Sequence, residues 1–139
     1  MQDCIFCKIV RGDIPCFKIY ENDKVLCFAD INPINTGHSL IIPKNHAENL
    51  WEISEDDLSA IHRASISVAK AMKSSLNAEG IAVLQLNGKS VNQLVMHYHL
   101  HLVPRCAGDP EIKLTHWDLI PGDMKTVEET SQRIAAALT

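Results

Sequence analysis

The chain has 139 residues, 46% of them hydrophobic and 22% charged, the proportions of one globular unit large enough to bury a core. Acidic residues outnumber basic ones, 17 to 13, and no run of Lys or Arg stands out, which argues against a nucleic-acid surface that must neutralise backbone phosphates. No apolar stretch reaches spanning length and the amino terminus lacks a secretion signal's basic-then-apolar layout, so the five cysteines predict reduced thiols, no membrane partner and a cytoplasmic home.

In chain order, Cys4 and Cys7 stand first, at C-x-x-C spacing, which serves zinc or redox chemistry. A redox pair opens a helix after a strand, and nothing precedes this one. As a zinc half-site it needs two further ligands from elsewhere, and two ordinary buried thiols are the plain alternative. Residues 17–20 and 25–29 flank the turn-rich Glu21-Asn22-Asp23-Lys24 and predict a β-hairpin. Residues 30–37 are a loop by their Asn, Pro and Gly content, and residues 38–42 read as a strand ended by Pro43. Ser54 and an acidic first turn open a helix running to about Asn77. Its stripe of Leu58, Ile61, Val68, Met72 and Leu76, with Ala64 and Ala69, is core packing. Gly80 is the expected stop. Residues 81–86 form a buried strand, and residues 87–93 link it to the next.

That next stretch, residues 96–105, carries His97, His99 and His101 at every second position. In an extended chain all three point one way, while Tyr98, Leu100 and Leu102 point the other way and bury. Successive imidazoles then sit roughly 7 Å apart, and Pro104 closes the strand. A turn follows at 106–110. Trp117 is expected to pack on the body or on a partner subunit, and Asp123 to cap a last helix carrying Val127, Ile134, Ala137 and Leu138. The order is not a repeating βαβ. It predicts an α+β fold with an about five-stranded, mainly antiparallel sheet, one long helix and a shorter C-terminal helix.

Three chemistries fit the histidine row: a satisfied polar face, a three-histidine metal site with an open position for water, or a histidine nucleophile whose neighbours bond a phosphoryl group. The row His97-Tyr98-His99-Leu100-His101-Leu102-Val103 resembles the His-φ-His-φ-His-φ-φ signature of the histidine triad (HIT) nucleotide hydrolases and transferases. A second segment, from Gly37-His38 through Pro43-Lys44 to His46, resembles the G-H-x-L-φ-φ-P-K-x-H stretch upstream of the triad in that family. The resemblance covers about residues 3–109 of one domain spanning 1–139, with 110–139 as a variable tail that in the family lies near the partner's active site.

The resemblance implies the HIT-like fold, a homodimer and a purine nucleotide substrate with an AMP-like product, with no organic cofactor. His99 attacks the α-phosphorus of a nucleoside 5′-phosphoramidate or dinucleoside polyphosphate and forms a nucleotidyl-histidine. His101 bonds the phosphate and leaving group, and His38 supports the triad from the neighbouring strand. A phosphorylase or nucleotidyl transferase would use the same residues, and a binding module with little turnover is the contrasting class. Phe6, Ile9, Phe28 and Ile31 match positions that enclose the base, and Asp30 matches the carboxylate that accepts from the ribose. Asn87 and Gln93, the polar residues nearest the triad in sequence, are the phosphate-side candidates. Some relatives, among them the galactose-1-phosphate uridylyltransferases, hold a structural zinc at positions matching Cys4, Cys7, His46 and His97. This chain departs from the family at Leu86, at Val91-Asn92 and at Leu94, all in the loop before the triad.

Overall fold

The computed structural model describes residues 3–112 and 119–138; Trp117 lies outside the described residues. The hairpin forms as expected from β1 (Lys18–Glu21) and β2 (Val25–Ala29). Asn22 closes its turn by accepting from the backbone N–H groups of Lys24 and Val25 at 2.9 and 3.0 Å, a local bond that competes with continued strand. With β3 (Ser39–Pro43), β4 (Gly80–Leu84) and β5 (Leu100–Arg105) these strands make one sheet in the order β1-β2-β3-β5-β4, and every neighbouring pair is antiparallel. The long helix α2 (Glu55–Leu76) starts at Ser54, whose hydroxyl accepts the Asp57 N–H at 3.1 Å. A shorter helix α3 (Met124–Ala136) follows Asp123, whose carboxylate accepts from the Thr126 hydroxyl rather than from a backbone N–H.

Alternation divides the strands between two faces. Val25, Cys27 and Ala29 of β2, Ile41 of β3, and Leu100 and Leu102 of β5 point to one face. There they meet Ile61, Val68 and Met72 of α2 and Ile134 of α3. Each Val, Leu, Ile or Met side chain among these, fully buried, contributes about 1.5–3 kcal/mol. Leu26, Phe28, Leu40 and Ile42 point to the other face and pack with Phe6. Phe6 comes from a helix the sequence reading does not foresee, α1 (Ile5–Arg11), with Cys4 as its N-cap. Gly12 ends it at φ 83°, where its N–H reaches the Ile9 carbonyl at 3.0 Å, a left-handed stop that glycine makes at little cost.

Three further expectations are corrected. Gly80 does not stop α2; Asn77 does, at φ 56°, ψ 37°, a conformation Asn tolerates, and Gly80 opens β4. That strand ends at Leu84, short of residue 86. Finally, β5 begins only at Leu100 and runs through Pro104 to Arg105. Pro104 is accommodated because β3 pairs no further along β5 than Leu102. The Pro104 carbonyl, on the side β3 has left, takes the Asn35 side-chain N–H at 3.1 Å, and N and O of one strand residue share a side. The missing N–H therefore interrupts no ladder bond.

The loop from 30 to 37 is held against this end of the sheet. Gly37 has φ 92°, and a Cβ there would lie 2.8 Å from Pro104 Cγ and 2.9 Å from Leu76 Cδ1. Only glycine combines that backbone with that approach. The tuck delivers His38 to the start of β3, with its N–H on the Asn35 carbonyl at 3.0 Å.

Candidate active site

All three triad histidines are buried on the face that α1 covers, opposite Tyr98, Leu100 and Leu102 in the main core. The rings are closer than an ideal strand would set them, with the His99 and His101 centroids 4.9 Å apart, since residues 97–99 precede β5 and are free to bend. Each ring is locked by a different partner. His97 Nε2–H donates to the Pro43 carbonyl at 2.8 Å, leaving Nδ1 to face the cysteines. His99 Nδ1–H donates to the His97 carbonyl at 2.6 Å. A carbonyl can only accept, so His99 carries its proton on Nδ1 and its basic lone pair on Nε2.

A second chain of bonds fixes His101. The Ile34 N–H donates to His38 Nδ1 at 2.9 Å, so the His38 proton sits on Nε2, which lies 2.8 Å from His101 Nδ1. Donation across that contact leaves His101 with its own proton on Nε2. One backbone amide thereby sets two tautomers. Asp30 Oδ2 stands 3.4 Å from His38 Nε2, and Asp30 Oδ1 accepts the Asn32 N–H at 2.8 Å.

Burial dominates the electrostatics. It pushes His38 down to about 3 and His97 to about 4, lowers His101, to which positive charge on His99 or His38 adds, and lowers His99 against the opposing pull of its bond to the His97 carbonyl. The triad is therefore neutral at neutral pH. Burial raises Asp30 to about 6, against the opposing pull of the Asn32 N–H.

A cleft of about 260 Å³ opens onto His99 and His101. Phe6, Ile9, Phe28, Asp30 and Ile31 line it, together with Cys16, Asn32, Asn92 and Leu119. Phe6 stands edge-on to His99, centroids 5.2 Å apart at 89°. Among the described residues that line the cleft there is no Lys or Arg. Asn87 and Gln93 are not brought to it. The Asn87 carboxamide accepts from the Leu50 N–H at 2.7 Å and pairs with Gln85. Gln93 is buried and holds the loop together: it accepts from Gly88 N–H and donates to the carbonyls of Glu48 and Val95. Their assignment as phosphate-side groups is corrected, because the side-chain polar atoms of both residues already have partners within the protein. Asn92, which the sequence reading noted only as a departure, lines the cleft instead at φ 71°. Leu94 stands at the rim, 66% exposed.

Cys4, Cys7, His46 and His97 form a second constellation, with one donor atom each and all within 4.8 Å of one another. The sulfur–nitrogen distances are 3.3 Å for Cys4 to His97, 3.3 Å for Cys7 to His46 and 3.6 Å for Cys7 to His97. A tetrahedral zinc with its usual bond lengths has sulfur–nitrogen edges of about 3.5 Å, so this donor set fits the ion. The His97 Nε2–H bond to Pro43 supplies the outer-shell support that leaves Nδ1 free to ligate. Among the described residues the three triad histidines do not form one ligand group, which weakens the metal-bound-water reading. Asp30, His38 and His101 also cluster, but the short His38–His101 bond leaves no room for an ion between those nitrogens.

The HIT domain family model matches residues 11–108. A solved structure of a Hit-like protein from Bartonella henselae, involved in cell-cycle regulation, is similar at TM-score 0.90 and 36% identity, covering 99% of this chain and 98% of that one. A zinc-bound histidine triad family protein of Mycobacterium smegmatis is similar at TM-score 0.84 and 34% identity, covering 98% and 93%. An adenosine 5′-monophosphoramidase of Schizosaccharomyces pombe is 42% identical over 104 residues, 75% of each chain.

Proposed function

The chain belongs to the HIT family, and from that membership we propose that it hydrolyses a purine nucleoside 5′-phosphoramidate at the α-phosphorus through a nucleotidyl-His99 intermediate. The observation that carries this reading is the His99 tautomer. Nδ1–H is held by the His97 carbonyl at 2.6 Å, which leaves Nε2 as a neutral nucleophile in the cleft. In the first step Nε2 bonds to phosphorus and the phosphorus–nitrogen bond of the substrate breaks, the departing amine taking up a proton from solvent that the attacking water of the second step returns. Positive charge develops on the imidazole, and the bond to the His97 carbonyl strengthens with it. His101, fixed as a donor at Nε2, bonds a phosphoryl oxygen or the departing nitrogen, where charge changes most. In the second step water attacks phosphorus, loses a proton, and frees His99 and a nucleoside monophosphate.

Phe6, Ile9, Phe28 and Ile31 enclose the base, and Asp30 accepts from the ribose. The same machinery could act on a dinucleoside polyphosphate. The absence of Lys and Arg among the described cleft residues favours the phosphoramidate, whose amine needs no cation to receive it. Cys4, Cys7, His46 and His97 hold a structural zinc, which supplies a cross-link and no chemistry at phosphorus. A homodimer is supported by β4, an edge strand without charge or proline whose Val83 is 55% exposed and open to pairing. Leu94 at the rim favours a second reading, a nucleotide-binding module with little turnover.

The test is release of AMP from adenosine 5′-phosphoramidate and from a diadenosine polyphosphate, by wild type and by His99→Ala checked for folding by circular dichroism. Turnover of the phosphoramidate that His99→Ala abolishes is the expected result. AMP binding without turnover of either substrate would establish the binding module, and full activity in His99→Ala would rule out the nucleophile.

A further inference from the structure

Helix α1 belongs to both constellations. Its cap Cys4 and its residue Cys7 supply two of the four zinc donors, while Ile5, Phe6 and Ile9 form a wall of the cleft. Phe6, between the two cysteines in sequence, touches both sites: its ring centroid lies 5.8 Å from that of His97, a zinc ligand, and 5.2 Å from that of His99. A seven-residue helix does not hold itself together in water, so its position is set by docking. The docking here is sparse. Phe6 is its one buried residue, and only Cys4, Ile9 and Val10 pack partly buried beside it. Apart from the exposed Arg11–Asp13 pair just past the helix end, the side-chain polar contacts among the described residues from α1 and its cap to the rest of the protein run through the two cysteine sulfurs to His46 and His97. His97 in turn orients His99 through its carbonyl.

Resting on the reading of these two sites just given, we propose that α1 couples them, so that the zinc site regulates nucleotide binding. Zinc clamps α1 to the sheet and sets Phe6 and Ile9 against the base, and a bound base holds α1 where its cysteines meet His46 and His97. Coupling of this kind is reciprocal: each ligand raises affinity for the other by the same factor. The separate role of Phe6 is that of a positioning residue.

Two titrations test it. AMP is titrated calorimetrically into zinc-loaded protein and into protein stripped by a chelator, with circular dichroism on both. Zinc loss from loaded protein to a chromophoric chelator is then followed with and without saturating AMP. The expected result is AMP affinity about tenfold weaker without zinc, zinc held about tenfold more tightly with AMP, and both factors reduced toward one in Phe6→Ala. The second titration needs only loaded protein, so it decides the matter even where stripped protein unfolds. Equal zinc retention with and without bound AMP overturns the proposal. Coupling that survives intact in Phe6→Ala also overturns it, since the route between the sites then bypasses α1, through the His97 carbonyl to His99 or through direct contact between AMP and the ion. Failure of loaded protein to bind AMP, or of the chain to bind zinc, sinks the corresponding site reading, and the coupling with it.

Discussion

On one face of the sheet Val25, Cys27, Ile41, Leu100 and Leu102 meet two helices, α2 and α3, through side chains that are almost wholly apolar. On the other face Leu26, Phe28, Leu40 and Ile42 share the surface with the histidines under the seven residues of α1. The first face is held by area, spread over many contacts that partly substitute for one another. The second is held by single bonds to single atoms: the Pro43 and His97 carbonyls and the Ile34 amide each fix one ring. Stability therefore resides mainly on one side of the sheet and chemistry on the other, and substitutions should sort accordingly.

The widest separation is expected for His99→Ala. Removing the nucleophile proposed above should cost on the order of 10⁴-fold or more in turnover, about 5.5 kcal/mol of barrier, while the thermal midpoint moves little. Ile61→Ala on the opposite face should do the reverse. Ile61 is 0% exposed, and its truncation leaves a cavity costing about 2–5 kcal/mol, read as a lower denaturant midpoint with kcat/KM little changed below the transition. If Ile61→Ala lost activity in proportion to stability, the two faces would be one cooperative site and the contrast drawn above would fail.

The same contrast explains what was legible beforehand. The helix-covered face repeats with a period, so Leu58 through Leu76 and the alternation around Leu100 could be read directly. The histidine row was legible for the same reason, its three polar positions in register against Tyr98, Leu100 and Leu102. Helix α1 was not: seven residues give barely two turns of pattern, and the C-x-x-C spacing drew the eye to chemistry. The misassignment of Asn87 and Gln93 has a different cause. Both are polar and near the triad in sequence, but they are taken up by groups of their own loop, at Gln85, Gly88 and Val95, and by backbone groups of residues 48 and 50, which only the fold brings close. Pro104 stayed within its strand because its neighbour had ended, a fact about β3 that the sequence of β5 does not contain.

Gly37→Ala tests the seam between the faces. The residue needs a positive φ, and its new Cβ would meet the Pro104 ring, an arrangement costing about 1–3 kcal/mol. Because the same tuck delivers His38 to His101, both stability and turnover should fall. Loss of stability alone would show that the loop can shift without disturbing the His38–His101 bond.

The smallest effect at neutral pH is expected from His38→Gln, and its value lies in the acid range. The His38 imidazole is held at about 3, chiefly by burial, against an ordinary 6.5. A group whose proton affinity is depressed by folding contributes stability above its unfolded value, which is lost as pH falls from about 6.5 toward 3. The facing groups are His99, His101 and Asp30. Asp30 works in the opposite sense, since burial raises it from 3.8 to about 6; its share of stability is present at low pH and is lost as pH rises through that value. Wild type should therefore lose stability on acidification along a slope that His38→Gln makes shallower, measured as the urea midpoint between pH 7.5 and 4. An unchanged slope would place the acid sensitivity at His97 and its cluster with Cys4, Cys7 and His46, on the α1 side of the site.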